Sequence, residues 1–274
     1  WNIGAEGQLY MGAMAAVAVG SGVIDAPSYI MIPVIMLAGA AAGAVMLIGP
    51  TIMKTRLGVD EVVTTLLLNF IVLLFVQMML EGALKDPMSM GWPQSEPIID
   101  SAILPPLLER MRVHLGLIIA LISAFALAIF VKRTVWGFEI RAVGENAAAA
   151  RFSGISVTKT MVLVAMLSGG LAGLAGVSEV AGTRGYLATD LSPGYGYAGI
   201  VVAMLARLSP IGIIISALFV ASVFVGADSM SRAIGVSNYL ADLIVAMSLL
   251  CVLIGGFLTR FKNSKKGMSV NMAS

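Results

Sequence analysis

Val62-Val-Thr-Thr-Leu-Leu-Leu-Asn-Phe-Ile-Val-Leu-Leu-Phe-Val-Gln-Met-Met-Leu80 is an uncharged run in which only Thr64, Thr65, Asn69 and Gln77 are polar. Roughly 20 helical residues cross a hydrocarbon core of about 30 Å, so a run of this length reads as a membrane-spanning helix. Spanning structures must satisfy every backbone polar group internally. The short alternating strands of a membrane barrel are absent from this sequence, which leaves the helix. Asp60 and Glu61 precede the run, where carboxylates complement the helix dipole and serve as caps.

Outward from this run, seven further apolar segments are read: Gln8 to Val23, Ser28 to Ile48, Leu115 to Val131, Met161 to Val177, Gly194 to Leu205, Ile211 to Val225 and Tyr239 to Leu258. The predicted fold is all-α, a polytopic transmembrane helical bundle of about eight segments forming one domain over residues 1–274. Composition agrees, since 59% of the 274 residues are hydrophobic and 12% charged, against about 25% charged in soluble domains. Gly194 to Leu205 and Ile211 to Val225 are short and separated only by Ala206 to Pro210. They form either a tight hairpin of tilted helices or a broken pair that does not fully cross. The chain opens Trp1-Asn-Ile-Gly without Met or a basic leader, so no signal peptide is read and an N-terminal piece is expected to precede it.

A formal net charge of +2 gives no reason to expect a nucleic-acid partner. One cysteine, Cys251, and one histidine, His114, offer neither a disulfide nor a metal-binding set. Lysine and arginine are enriched in cytoplasmic loops. Lys54, Arg56, Lys132, Arg133, Arg141, Arg151, Lys159, Arg207, Arg260, Lys262, Lys265 and Lys266 fall on one side of the predicted topology. Lys85, Arg110, Arg112, Arg184 and Arg232 fall on the other. With the segments alternating strictly, this asymmetry predicts a cytoplasmic C-terminus, an external loop at 81–113 and a cytoplasmic loop at 132–160. Prolines break any long helix in the external loop, which is either an ordinary connector or a surface for a partner; Leu107 to Val113 is a candidate short helix.

Within the cytoplasmic loop lies a polar island, Arg141-Ala-Val-Gly-Glu-Asn-Ala-Ala-Ala-Ala-Arg-Phe-Ser-Gly-Ile-Ser-Val157. Trp136 and Phe138 are placed as interfacial anchors. Gly144 is read as a turn, Glu145 or Asn146 as the start of a helix of about two to three turns, and Gly154 as its end. The alanine face suits a groove on another protein, with Glu145, Asn146 and Arg151 as polar rim; the alternative is a solvated connector.

Polar groups in apolar segments are costly and tend to face a cavity or another helix. Thr65 lies one turn before Asn69 on nearly the same face, while Gln77 is rotated from Asn69 by about 80° at 100° per residue. Such amides and hydroxyls either hydrogen-bond a polar solute without needing a charge, or join helices. Asn2, Glu6 and Gln8 cluster beside Gly4 and Gly7, in either a discontinuous helix at membrane depth or a simple loop. Small residues at four-residue spacing, Gly12, Ala16 and Gly20, Gly39 and Gly43, and Gly169 and Gly173, are read as close-packing seams.

The island resembles the coupling loop of ATP-binding-cassette importer permeases, in the branch of the ribose-type and branched-chain-amino-acid permeases. Arg141-Ala-Val-Gly-Glu-Asn146, the paired alanines and Ser153-Gly-Ile155 are similar to nucleoside and simple-sugar permeases. So are Asn2-Ile-Gly-Ala-Glu-Gly-Gln8, Thr64-Thr-Leu-Leu-Leu-Asn69 and Leu191-Ser-Pro-Gly-Tyr-Gly-Tyr-Ala-Gly-Ile-Val-Val-Ala-Met-Leu205. The resemblance covers nearly the whole chain. It implies a non-enzymatic transport subunit in the inner membrane of a prokaryote. Its partners would be a second permease subunit, a cytoplasmic ATPase that binds ATP and Mg, and an external solute-binding protein, with no cofactor in this chain.

Gly144, Glu145, Asn146, Ala148, Ala149, Arg151, Ser153 and Gly154 would then be the coupling residues. Asn2, Glu6, Gln8, Thr65, Asn69 and Gln77 are the expected substrate pathway. The sequence lacks a G-x-x-x-x-G-K-[ST] loop, so ATP hydrolysis is assigned to the partner. The rival readings are an ion-driven secondary transporter, which usually carries an ionisable residue at the bilayer midplane, and a permease for another solute such as branched-chain amino acids.

Overall fold

The computed structural model describes residues 2–24, 26–108 and 113–234, and beyond them positions 239, 240, 243, 244, 246–248, 250, 251, 254 and 255. The chain divides into two compact units, Trp1–Tyr197 and Ala198–Ser274. Among the described residues the regular structure is helical, with only three isolated antiparallel bridges.

In order, the helices are α1 (Ala5–Gly20), α2 (Ser28–Ile52), α3 (Glu61–Glu81), α4 (Leu115–Arg133), α5 (Val135–Glu145), α6 (Ala147–Phe152), α7 (Val157–Glu179), α8 (Tyr195–Leu205) and α9 (Pro210–Ile234). α2 and α7 each run on through a widened π turn, Met53–Leu57 and Val180–Arg184, and each stops at a left-handed glycine, Gly58 and Gly185. Glycine suits that stop because it has no β-carbon to clash at positive φ.

The first unit is organised by α1, α2 and α7 packing on one another, with α3 laid against α1. Tyr10, Met31, Ile35, Val72, Val76 and Val177 form its buried centre. The glycine seams determine how closely the helices approach. A β-carbon at Gly12 would overlap the carbonyl of Gly173, and one at Gly43 would overlap the carbonyl of Gly169. These glycines pair inside the chain, as the structural reading of their spacing expected. In lipid, where apolar side chains gain little by leaving hydrocarbon, such close backbone contact is a main source of helix association.

Among the described residues, five helices are long and apolar enough to cross a membrane: Ser28–Leu57, Glu61–Glu81, Leu115–Arg133, Val157–Arg184 and Pro210–Ile234. They correspond to the second, third, fourth, fifth and seventh expected segments. Outward-facing side chains on α3, among them Leu67, Phe70, Leu74 and Met78, are exposed and apolar, as lipid contact requires. α1 is shorter, at 16 residues, and lies largely buried in the bundle.

The polytopic bundle is therefore as expected. At 11 residues α8 is about 16 Å long, roughly half the hydrocarbon thickness. It is a shorter apolar helix, outside the five long enough to cross upright, within the alternatives expected for Gly194 to Leu205. α9 runs nine residues beyond Val225 to Ile234, and Asp228 and Arg232 pair along this added stretch at 2.5 Å. Within the second unit, Val202 and Val220 are the buried contact between Ala198–Leu205 and α9. The expected eighth segment is described only at scattered helical positions. Arg260, Lys262, Lys265 and Lys266, with the C-terminus, lie outside the described residues.

Residues 81–108 are strapped to the end of the bundle. Ser95 gives its N–H to the Leu187 carbonyl and its Oγ accepts the Leu187 N–H, both at 2.9 Å. Ile98 donates to Gly185, Ile99 to Gly20 and Leu104 to Ala181, at 2.8 to 2.9 Å. Ile98, Ala102 and Leu104 are buried beneath, while Met88, Met90 and Trp92 stand exposed at the loop's tip. Most of the expected helix at Leu107 to Val113 lies outside the described residues. Its ends are tied by Leu107 N–H to the Val113 carbonyl at 2.8 Å.

Candidate functional site

Asn69 is wholly buried in α3. Its Oδ1 accepts the Gly7 N–H at 2.8 Å, and its amide donates to the Ile3 carbonyl at 2.9 Å and the Tyr197 hydroxyl at 3.1 Å. Thr65 Oγ1 accepts the Ile3 N–H at 3.3 Å. The segment leading into α1 is thus pinned by α3 through residues about a turn apart. Asn2 and Gln8 bond each other at 2.8 and 3.1 Å, and Asn2 also donates to Ser168 on α7 at 2.9 Å. Glu6, 4% exposed, accepts the Gly196 N–H at 2.6 Å, at the first turn of α8. Ser192 accepts from Gly194 and Tyr195 beside it.

Five of the six expected pathway residues, Asn2, Glu6, Gln8, Thr65 and Asn69, are therefore brought together. Gln77 is not among them: it is exposed and donates to Glu81 at 3.2 Å. The rotation about α3 that separates it from Asn69 carries it off the bundle face. Sequence reading did not single out Ser168 or Tyr197. Both lie in apolar surroundings, and Ser168 directly precedes the Gly169 seam.

Beside this network lies a cavity of about 510 Å³, within the 300–1,000 Å³ typical of small-molecule sites. Asn2, Thr65, Thr160 and Ser168 supply its polar floor, and Ile140, Val143 and Gly144 of α5 form one wall. At the rim, Lys54 and Glu61 pair at 2.6 Å with side chains 38% and 26% exposed. Asp60 is the N-cap of α3, accepting the Val62 N–H at 2.8 Å. Glu61 lies in the first turn of α3, where its carboxylate was expected, and also ties the π turn of α2 to the start of α3 through Lys54. Of the expected pathway residues, only Asn2 and Thr65 reach the cavity.

The polar island keeps its expected limits at Asn146, one of the two named starts, and Gly154, and differs in detail before and between them. Gly144 lies within α5 rather than at a turn, and Glu145 ends that helix rather than starting the next. The break falls at Asn146, in extended conformation, whose Oδ1 accepts the N–H groups of Ala148 and Ala149 at 3.0 Å. An asparagine oxygen can close two free donors at a helix start, which glycine cannot. The resulting α6 has six residues, fewer than the two to three turns expected, and the chain leaves it at Gly154 with φ +86°. Ala150 is buried with Val143 and Val157. Ala148, Ala149, Arg151, Ser153 and Gly154 face outward, and Phe152 is 97% exposed. Phe152 was missed; an aromatic residue inside an otherwise polar and alanine-rich island was the available signal.

Residues 1–253 match the family described as branched-chain amino acid transport system, permease component. The chain belongs to this permease family. Among its relatives is a guanosine ABC transporter permease of Bacillus subtilis, 35% identical over 97% of this chain and 78% of the relative. A glucose ABC transporter permease of Haloferax volcanii is 34% identical over 96% of this chain and 71% of its own. A nucleoside ABC transporter permease of Lactococcus lactis subsp. cremoris is 33% identical over 85% and 66% respectively. No solved structure matches. The permease is thus a multi-pass membrane component of a transport system.

Proposed function

We propose that the permease is the transmembrane subunit of an ATP-driven importer for nucleosides or simple sugars, coupled through α6 to a separate cytoplasmic ATPase that binds ATP and Mg. The observation that carries this reading is α6 itself. It is a short helix capped by Asn146, anchored below by Ala150, and presenting small side chains and one fully exposed phenylalanine. Such a knob on a smooth face suits a groove in a partner protein. Lys54 and Arg56 end α2 near the same cavity as α5, which supports placing this end of the first unit in the cytoplasm of a prokaryotic cell. The C-terminus is assigned to the same side.

A second permease subunit completes the pathway. An external solute-binding protein docks at the opposite end, where Met88, Met90 and Trp92 project. The nucleoside and sugar preference rests on the named solutes of the relatives and on a cavity floor made of hydroxyls and an amide. Ion coupling is disfavoured because the buried acid Glu6 is spent on the first turn of α8.

The test is a reconstituted complex of permease, ATPase and binding protein in liposomes. Ala148→Trp should cut solute-stimulated ATP hydrolysis at least tenfold while membrane insertion and permease stability stay unchanged. Normal hydrolysis and uptake in that variant would overturn the coupling assignment.

A further inference from the structure

α4 carries a continuous stripe of large apolar side chains. Ile118, Ile122, Phe125 and Ile129 are all exposed, and at about 100° per residue they keep to one face of the helix. Helices that pack on one another in lipid approach through small residues, as the glycine seams of α1, α2 and α7 do. A face of branched and aromatic side chains suits acyl chains instead. The uncharged stretch from Leu115 to Val131 is about 26 Å long, close to the hydrocarbon thickness of about 30 Å. Lys132 and Arg133 therefore emerge at the level of the lipid phosphates. They flank the stripe, about 50° to either side of its mean line.

The chain then turns sharply. Thr134 Oγ1 donates to the Phe130 carbonyl at 2.7 Å and accepts the Gly137 N–H at 3.0 Å. A β-carbon at Gly137 would overlap the carbonyls of Phe130 and Val131, so α5 starts directly against the end of α4. This fold-back returns Arg141 to α4, where its guanidinium donates to the Val131 carbonyl. That bond uses one of the guanidinium's donors and holds the rest at the last turn of α4. Three cations thus gather at one helix end. Among the described residues none of them joins an ion pair, although Glu139 and Glu145 lie on the same α5. Trp136 and Phe138 are exposed on α5 as well, as aromatic side chains of the headgroup zone are.

We infer that the elbow between α4 and α5 binds an anionic phospholipid, with its acyl chains along Ile122, Phe125 and Ile129 and its phosphate among Lys132, Arg133 and Arg141. A phosphate diester matches the fork of a guanidinium. Two further cations favour a headgroup of net negative charge and repel the ammonium of a zwitterionic one. The site requires only that the bundle lie in lipid, and is independent of the solute and of the ATPase.

To test this, the permease, purified with the subunits that accompany it, is reconstituted into vesicles of phosphatidylcholine with a minor fraction of phosphatidylglycerol. A photoactivatable diazirine is carried on the acyl chains of one lipid or the other, in equal amount, and its adducts are mapped by mass spectrometry. Adducts on residues 122–129 should be at least threefold more frequent when phosphatidylglycerol carries the label. Lys132→Gln with Arg133→Gln should remove at least half of that excess, whereas Arg56→Gln, at the end of α2, should keep it. Equal labelling of wild type by the two lipids overturns the site, and needs no variant to fold. An absence of adducts on α4 also overturns it, since another protein would then cover the stripe. So does an excess that the double variant keeps, or that falls as far in Arg56→Gln, which would mean diffuse attraction to a charged end.

Discussion

The side chain of Asn69 holds the backbone N–H of Gly7 at 2.8 Å, joining the middle of α3 to the first turn of α1. The same amide donates to the Ile3 carbonyl, so both ends of the side chain are consumed by main-chain groups. Asn69→Leu would leave that N–H and that carbonyl buried without partners, at about 1–3 kcal/mol each. The variant is expected to unfold at lower temperature in detergent and to assemble poorly. The fraction that assembles should transport with an unchanged KM. Altered selectivity at normal thermal stability would show instead that Asn69 meets solute.

Close packing of α7 on α2 and α1 makes a second expectation. A β-carbon at Gly173 would overlap the Gly39 carbonyl on α2, and relieving that overlap means separating two helices. Gly173→Ala should destabilise the permease by at least the roughly 1–3 kcal/mol of an overpacked core. Gly199→Ala is the control, since nothing lies within 4 Å of the added carbon. It removes a helix-interior glycine and should leave thermal stability equal or slightly raised. Equal melting temperatures for the two variants would refute the seam.

The apolar runs were legible because lipid allows the backbone few solutions, and Asn69 stood out because an amide in such a run must find a partner. Which partner it finds depends on residues far away in sequence, Ile3, Gly7 and Tyr197, and spacing within α3 does not reveal them. The island's helix was legible from its alanines. Its start at Asn146 and its end at Gly154 were legible too; Gly144 was not, because a glycine tolerates a helix as well as a turn. Glu61 looked like a cap by position, and only the π turn of α2 brings Lys54 to it. The 81–108 loop read as a connector or partner surface because its backbone bonds to Gly20, Ala181, Gly185 and Leu187 leave no mark in composition.

Phe152 separates docking from folding. At 97% exposed it contributes almost nothing to packing within the permease, so Phe152→Ala should leave the melting temperature of the isolated subunit within a degree or so. If it is the anchor in the ATPase groove, the same change should weaken assembly with the ATPase by roughly tenfold or more, as loss of a buried aromatic hot spot does. Binding of detergent-solubilised permease to immobilised ATPase measures this directly. Unaltered affinity would remove Phe152 from the interface.

His114 provides a pH-dependent prediction outside the spans. It is the N-cap of α4, with Nδ1 accepting the Gly116 N–H at 3.2 Å. Its ring packs so closely on Gly182 that a β-carbon there would overlap it. Burial disfavours the charged ring and pushes its pKa below the ordinary value. The unfolded chain therefore binds more protons than the folded one as pH falls past about 6.5, the ordinary histidine value. The stabilisation is complete above that pH and is lost as pH drops through the lowered folded value. Protonation also removes the lone pair that caps α4. His114→Asn keeps a capping acceptor without a titrating group. Thermal unfolding followed from pH 8 to pH 4.5 should show a steeper loss for wild type than for this variant, with similar stability at the alkaline end. Parallel curves would mean that the imidazole's burial is not what links this end of α4 to pH.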